Sequence, residues 1–225
     1  MRVLVIDTSL GLCTAGVFAV EGGVARPLGL RSEVMAKGHQ ERLAGMARDA
    51  VAEAGGFGAL DRIGVAVGPG SFTGLRVGLA FAQGLGAALD RPVIGLSTLD
   101  ALAASAGPAP AVAALIDARR GQIYARFWRD GVPEGPAEAL SIEAARARAA
   151  ALGAGARLIG SGATLGEGEV GDGAAADLAG PSPEALARLT AAAEPAANPP
   201  RPLYLRAPDA TPPTRLPGQP RPPTP

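Results

Sequence analysis

One histidine, one cysteine and one lysine in 225 residues bound the chemistry this chain can do. A metallopeptidase helix of the H-E-x-x-H kind needs two histidines one turn apart and a carboxylate, and His39 stands alone. Cys13 has no partner for an intramolecular disulfide and no cysteine cluster for a metal. Asp7 and Asp117 are better placed. Each ends an apolar run, Val3–Ile6 and Ala113–Ile116, and each is followed four residues on by a glycine, Gly11 and Gly121. Asp7, beside the hydroxyls of Thr8 and Ser9, can cap its turn by accepting backbone N–H groups. Asp117 is followed by Arg119 and Arg120, which could take a phosphate or an acidic partner or simply be solvated. The segment Gly68-Pro69-Gly70-Ser71-Phe72-Thr73-Gly74 is rich in glycine but lacks the G-K-[ST] ending of a phosphate loop. Its glycines permit tight turns, and Ser71 or Thr73 can cap a following helix.

The elements that hold these residues follow from periodicity. Arg2–Ile6 reads as a buried strand, Leu12–Val20 as a second and Val24–Val34 as a third, with Gly22-Gly23 as the hairpin turn between the last two. His39–Ala54 changes period, with Leu43, Met46, Ala47, Ala50, Val51 and Ala54 on one helical face. Ile63–Val67 is a strand, Gly74–Leu89 a helix, Pro92–Leu96 a strand and Thr98–Ala106 a helix. The order βββαβαβα is that of a mixed α/β lobe. After Gly107-Pro108-Ala109-Pro110 the pattern restarts: Ala113–Asp117 is a strand and Gln122–Arg129 a second one. Ile142–Leu152 is expected to be helical, Arg157–Ile159 a strand and Ser182–Ala193 a helix. This reads either as an internal duplication or as two strand–turn–strand units that look alike by chance. The expected organisation is a lobe over 1–106, a reduced second lobe over 107–205 and a disordered tail over 206–225. Twelve of the 21 prolines fall in the last 31 residues, a density that opposes helices and ladders.

Composition sets the class. At 48% hydrophobic and 19% charged residues, the chain has the make-up of a globular protein with a core. A formal net charge of zero argues against independent binding of a nucleic acid through a broad basic face. No secretory leader is read at the start, and Val77–Leu89, interrupted by Gln83, is too short to span a bilayer. The expected compartment is the cytoplasm, with no membrane contact.

Three stretches are specific. They are Val5-Ile6-Asp7-Thr8-Ser9; Gly68–Gly78, continuing through Ala82-Gln83-Gly84-Leu85 to Ile94–Leu99; and Ile116-Asp117-Ala118-Arg119-Arg120-Gly121-Gln122-Ile123-Tyr124. With His39–Leu43 and Pro202–Arg206, they closely resemble the TsaB family, also called YeaZ, over about residues 1–206. The resemblance implies the duplicated actin, heat-shock ATPase and sugar-kinase fold, which is ribonuclease H-like in each lobe. It also implies a subunit without chemistry of its own. That subunit pairs with the metal-bearing TsaD-type catalytic paralogue, which transfers threonylcarbamoyl to the N6 of a tRNA adenosine next to the anticodon, and a TsaE-type ATPase completes the set. Contact with tRNA then comes only through the complex, and the isolated chain could form a homodimer. In active members of the wider fold an aspartate at the place of Asp7 helps hold the metal of a nucleotide. Asp7, Thr8 and Ser9 are therefore a candidate vestigial nucleotide site, with no cofactor and no metal expected. Where metal-binding relatives place two histidines, this chain has Thr98 and Leu102. The competing reading is an enzyme of the kinase-like fold that hydrolyses a nucleotide or transfers its phosphate. It would need a glycine-rich adenosine loop late in the second lobe, where Gly160-Ser161-Gly162 is nearly all that is offered.

The partner surface is expected on helix Gly74–Leu89, supported by His39–Ala54. Gly74, Gly78, Ala82 and Gly86 recur every fourth residue, and so do Ala80, Gly84 and Ala88, giving two small-residue stripes. Each interior glycine costs up to about 1 kcal/mol, which close approach of another element can offset. One stripe must face the lobe's own sheet. The candidate contact residues are Gly74, Val77, Gly78, Ala80, Phe81, Ala82, Gly84 and Leu85.

Overall fold

The computed structural model describes residues 1–153, 155–166, 175–176 and 178–206. Residues 207–225 of the expected tail lie outside the described residues. Strands β1 (Arg2–Asp7), β2 (Leu12–Glu21) and β3 (Val24–Val34) form an antiparallel meander. Gly22 and Gly23 turn between the last two with φ of 56° and 78°, a left-handed pair that matches the twist of a two-residue hairpin. Helix α1 (His39–Glu53) follows, then β4 (Arg62–Gly68), α2 (Phe72–Leu89), β5 (Val93–Ser97) and α3 (Thr98–Ser105). The sheet order is β3-β2-β1-β4-β5, with β4 parallel to β1 and β5 parallel to β4.

The second sheet repeats this plan. Strands β6 (Ala111–Arg119) and β7 (Gln122–Arg129) are antiparallel, followed by β8 (Val132–Pro133) and β9 (Glu138–Ser141), which both pair with β7. Helix α4 (Ile142–Ala151) leads to β10 (Arg157–Ile159), which is parallel to β6. A short turn of helix, α5 (Ala163–Gly166), precedes β11 (Ala175–Ala176), parallel to β10. In each lobe a central strand is antiparallel to its successor and parallel to the strand that follows the first long helix. A chance likeness of strand–turn–strand units does not produce matching crossovers.

Pleating divides the first sheet's core. Leu4 and Ile6 face α1 and α2 with Leu43, Met46, Val51, Val65, Leu79 and Ala82. Val3 and Val5 face the other way, toward Phe18, Ile94, Leu96 and two residues from the far end of the chain, Leu186 and Ala187. Those two belong to α6 (Pro183–Ala192), capped by Ser182, whose Oγ accepts the Ala185 N–H. Helix α6 therefore covers the second face of the first lobe. The expected boundary, with all of 107–205 in the second lobe, is corrected on this point. Periodicity identified the helix, but its apolar face does not encode which sheet it covers.

The chain then runs along the first lobe. The Gly95 N–H donates to the Asn198 carbonyl at 2.9 Å and the Leu203 N–H to the Val67 carbonyl at 2.8 Å. The Gln83 side-chain amide donates to Pro200 O at 2.7 Å. The Tyr204 ring lies 5.5 Å from that of Phe72, and Arg76 stacks on Phe72 at 3.7 Å. Arg206 reaches the second lobe, donating to Ala118 O at 2.9 Å. Residues 195–206, rich in proline, are thus a strap held through the carbonyls of Asn198 and Pro200, the N–H of Leu203 and the side chain of Arg206. By length and composition α2 alone, among the described residues, could cross a membrane; its apolar side instead packs on the first sheet.

Candidate functional site

Asp7 is built into the end of β1 and is 1% exposed. Its Oδ1 accepts the Ser9 N–H at 2.8 Å, and its Oδ2 has no partner. Burial pushes its carboxyl above the usual range, against smaller opposing effects of the Ser9 hydrogen bonds and the nearby His39. The aspartate caps its own turn, the plainer of the two roles open to it.

The glycine loop explains why the turn is closed. The Ser71 N–H donates to Ser9 O at 2.7 Å, and the Thr8 hydroxyl donates to Gly74 O at 2.7 Å. A Cβ on Gly70 would run into the Ser9 carbonyl, one on Gly74 into the Thr8 carbonyl, and one on Gly78 would stand 2.5 Å from the Thr8 hydroxyl. Gly70 and Gly74 are therefore required by backbone-to-backbone approach of the loop and α2 to the Thr8-Ser9 turn, and Gly78 by the Thr8 side chain. Ser71 caps α2 through the Gly74 N–H at 3.2 Å. The candidate vestigial nucleotide residues Asp7, Thr8 and Ser9 are all buried, and Ser9 also borders a cavity between the lobes.

Between the lobes lies a cavity of about 530 Å³, bordered by Ser9, Gly11 and Ser71 on one side and Asp117, Arg119, Tyr124 and Ser161 on the other. Asp117 accepts the Arg119 N–H at 2.8 Å and pairs with the Arg119 guanidinium at 3.0 Å. Its own N–H donates to the Ser161 hydroxyl at 3.2 Å. The structure thus brings Ser161 of the Gly160–Gly162 turn against Asp117, a contact across 44 residues that spacing alone does not encode. Thr98 and Leu102 lie on the buried face of α3. Among the described residues, no three His, Cys, Asp or Glu side chains are grouped as metal ligands.

Helix α2 separates its two stripes. Gly74, Gly78, Ala82 and Gly86 are buried against the lobe's own strands. Ala80, Gly84 and Ala88 are exposed, and Val77, Phe81 and Leu85 are half-buried along the seam with α1. Gly74, Gly78 and Ala82 are thereby removed from the candidate partner contacts: they have no surface to offer. The five that keep accessible surface are Val77, Ala80, Phe81, Gly84 and Leu85.

Two sheets of order 3-2-1-4-5, each with an antiparallel opening meander and parallel later strands, facing each other across a cleft, define the duplicated actin-like class of α/β protein. The family profile described as TsaD, tRNA N6-adenosine threonylcarbamoyltransferase, matches residues 19–131. A Pseudomonas aeruginosa protein described as similar to the peptidase YeaZ superposes with a TM-score of 0.73 at 31% identity, covering 91% of this chain and 99% of the other. The chain belongs to the TsaB (YeaZ) family. The Escherichia coli tRNA threonylcarbamoyladenosine biosynthesis protein TsaB is 36% identical over 135 residues, 58% of this chain and 56% of the relative. An uncharacterized Mycobacterium leprae protein is 43% identical over 131 residues, 58% of this chain and 36% of the relative. The aligned stretches thus span between about a third and just over half of these curated relatives.

Proposed function

We propose that this chain is the non-catalytic partner subunit of a tRNA threonylcarbamoyladenosine machinery, acting in the cytoplasm by pairing with a TsaD-type catalytic paralogue. The observation that carries this reading is the second, exposed small-residue stripe of α2. The 18-residue helix needs only one stripe to meet its own sheet, and Ala80, Gly84 and Ala88 remain open beside the half-buried Val77, Phe81 and Leu85. Small residues on an apolar helix permit close approach of a second backbone, and the neighbouring larger side chains supply area. The closed Asp7 turn supports a role without chemistry, because its carboxyl is 1% exposed and so withdrawn from any substrate in solvent. A TsaE-type ATPase and tRNA would then meet the assembled complex and not this chain alone.

The test is co-purification with the TsaD-type paralogue of the same genome. A stable complex that modifies tRNA, from two components that are each inactive alone, is the expected result. Transferase activity of this chain by itself, or failure to associate at micromolar concentrations, overturns it.

A further inference from the structure

The end of the strap grips both lobes within four residues. The Leu203 N–H donates to Val67 O at 2.8 Å, and the Leu203 side chain packs against the first lobe's core. Tyr204 lies on Phe72, and its hydroxyl accepts from Arg76 Nε at 3.3 Å. Leu205 turns the other way. It packs in the cluster where α3 meets the second sheet, with Leu99, Leu102, Ile116 and Trp128. Arg206 then donates to Ala118 O at 2.9 Å. Gly70 and Ser71 border the interlobe cavity on one side, and Ala118 and Arg119 on the other. Residues 203–206 therefore fasten one lip of that cavity to the other.

A second fastening lies on the linker side. Asp100 of α3 pairs with Arg126 of β7 at 2.5 Å, and both border a groove with Gly107, Pro108 and Ala109 of the connection between the lobes. Arg126 stands opposite Ala114, and Ala118 is four residues further along β6, about 13 Å away. One fastening alone leaves two bodies free to turn about it, whereas two fastenings offset by this distance do not. The Gly11 N–H also reaches Ala179 O at 2.9 Å. Ala179 leads into α6, and its neighbours Gly180 and Ser182 meet Leu12 and Ser105 of the first lobe. That bond closes the first lobe on itself and leaves the second sheet unheld.

We propose that Leu203–Arg206 is a latch that fixes the angle between the two lobes. Leu203 and Tyr204 are its hold on the first lobe, and Leu205 and Arg206 its hold on the second. With the latch closed, the interlobe cavity keeps one width, and α2 and the second sheet form one rigid surface. With it open, the second lobe turns about the α3 contact as a hinge. The latch acts within the isolated chain, so its test needs no partner.

The distance between the lobes reads the latch directly. Spin labels are placed on Ala52→Cys of α1 and Ala147→Cys of α4, both exposed positions, while the fully buried Cys13 takes no label. Pulsed electron spin resonance on the full chain should give one narrow distance, and a chain ending after Arg206 should give the same one. A chain ending after Leu203, and the full chain carrying Leu205→Ser with Arg206→Ala, should each give a broadened distribution containing distances absent from the full chain. Arg206→Ala alone should broaden it less, because Leu205 keeps its seat. Unchanged circular dichroism spectra identify the folded variants, and Arg206→Ala decides alone where the others fail to fold. A broad distribution already in the full chain, an unchanged one in the folded latch variants, or equal broadening in the chain ending after Arg206 overturns the proposal.

Discussion

Asp7 and Asp117 make the same hydrogen bond in the two lobes: the Ser9 N–H reaches Asp7 and the Arg119 N–H reaches Asp117, each at 2.8 Å. The shared geometry comes from the shared strand–turn–strand frame, and the environments then diverge. Asp117 borders the interlobe cavity and has the Arg119 guanidinium as counter-ion. Asp7 is sealed under the Gly70–Gly74 loop, and one oxygen is left without a partner. Duplication supplied two equivalent carboxylates, and packing left only the second one accessible.

Asp7→Asn should raise stability at neutral pH. The folded protein holds the Asp7 proton more tightly than the unfolded chain, whose value is near the ordinary 3.8, because burial raises it. The resulting destabilisation is absent below about pH 3.8, grows as pH rises through the folded value and is complete above it. Asparagine keeps an acceptor for the Ser9 N–H and removes the charge. Urea melts of both proteins should therefore diverge on going from about pH 4 to pH 7, with the variant the more stable. An equal or lower midpoint for the variant at pH 7 contradicts this account.

Gly64 and Thr190 should fail together. A Cβ on Gly64 of β4 would sit inside the Thr190 hydroxyl of α6, which itself donates to Leu186 O at 2.8 Å. Gly64→Ala should cost about 1–3 kcal/mol by overpacking. Adding Thr190→Ala removes the hydroxyl and methyl nearest the new Cβ, so the double variant should regain part of the loss. Thermal denaturation of the three variants checks the coupling. Independent, additive losses would mean that α6 does not sit on this sheet.

Most of the framework was legible from short-range pattern. Val24–Val34, Gln122–Arg129 and Arg157–Ile159 coincide with β3, β7 and β10, and α1, α3, α4 and α6 end within about two residues of their expected limits. Apolar period and glycine turns are local properties, so they survive in one dimension. What was not legible is which surface an element covers. Leu186 and Ala187 look like any helical core pair, yet they lie against Val3 and Val5. Proline density hid the strap, because it argues against ladders and says nothing of carbonyls accepting from Gly95 and Leu203's own N–H reaching Val67. At the candidate site the two stripes of α2 were visible by spacing. Only the sheet behind Gly74, Gly78 and Ala82 decides which one is buried. His39 gave no sign of its burial, since one histidine at a helix start is equally at home in solvent.

The strap divides the C-terminal region into a needed and a dispensable part. A chain ending after Arg206 should melt within a few degrees of the full chain, because residues 207–225 hold few large apolar side chains. A chain ending after Ala193 loses the bonds from Gly95, Gln83 and Leu203 and the packing of Leu203 on the first core. That truncation should cost roughly 4–5 kcal/mol, from about 1 kcal/mol for each of the three hydrogen bonds plus the apolar area of one partly buried leucine. Equal melting temperatures for the two truncations would show that the strap contributes nothing.

Ala80 and Ala82 separate folding from pairing. Both are small residues of α2 two positions apart, so they lie on opposite sides of the helix. Ala82 is fully buried among Leu79, Val65 and the α1 side chains, so Ala82→Trp has no space to occupy and should lower stability by several kcal/mol or prevent folding. Loss of pairing in that variant would carry no information about an interface. Ala80 is exposed on the other stripe beside Gly84. Ala80→Trp should leave the circular dichroism spectrum and melting temperature of the isolated chain nearly unchanged, because surface substitutions usually act within about 0.5 kcal/mol. It should still abolish association with the catalytic paralogue, since a bulky ring holds two closely approaching helices apart. Gel filtration of each variant mixed with the paralogue, alongside denaturation of each alone, reads both quantities. A folded Ala80→Trp chain that still forms the complex would place the partner surface away from this stripe, and the proposed role of α2 would fall with it.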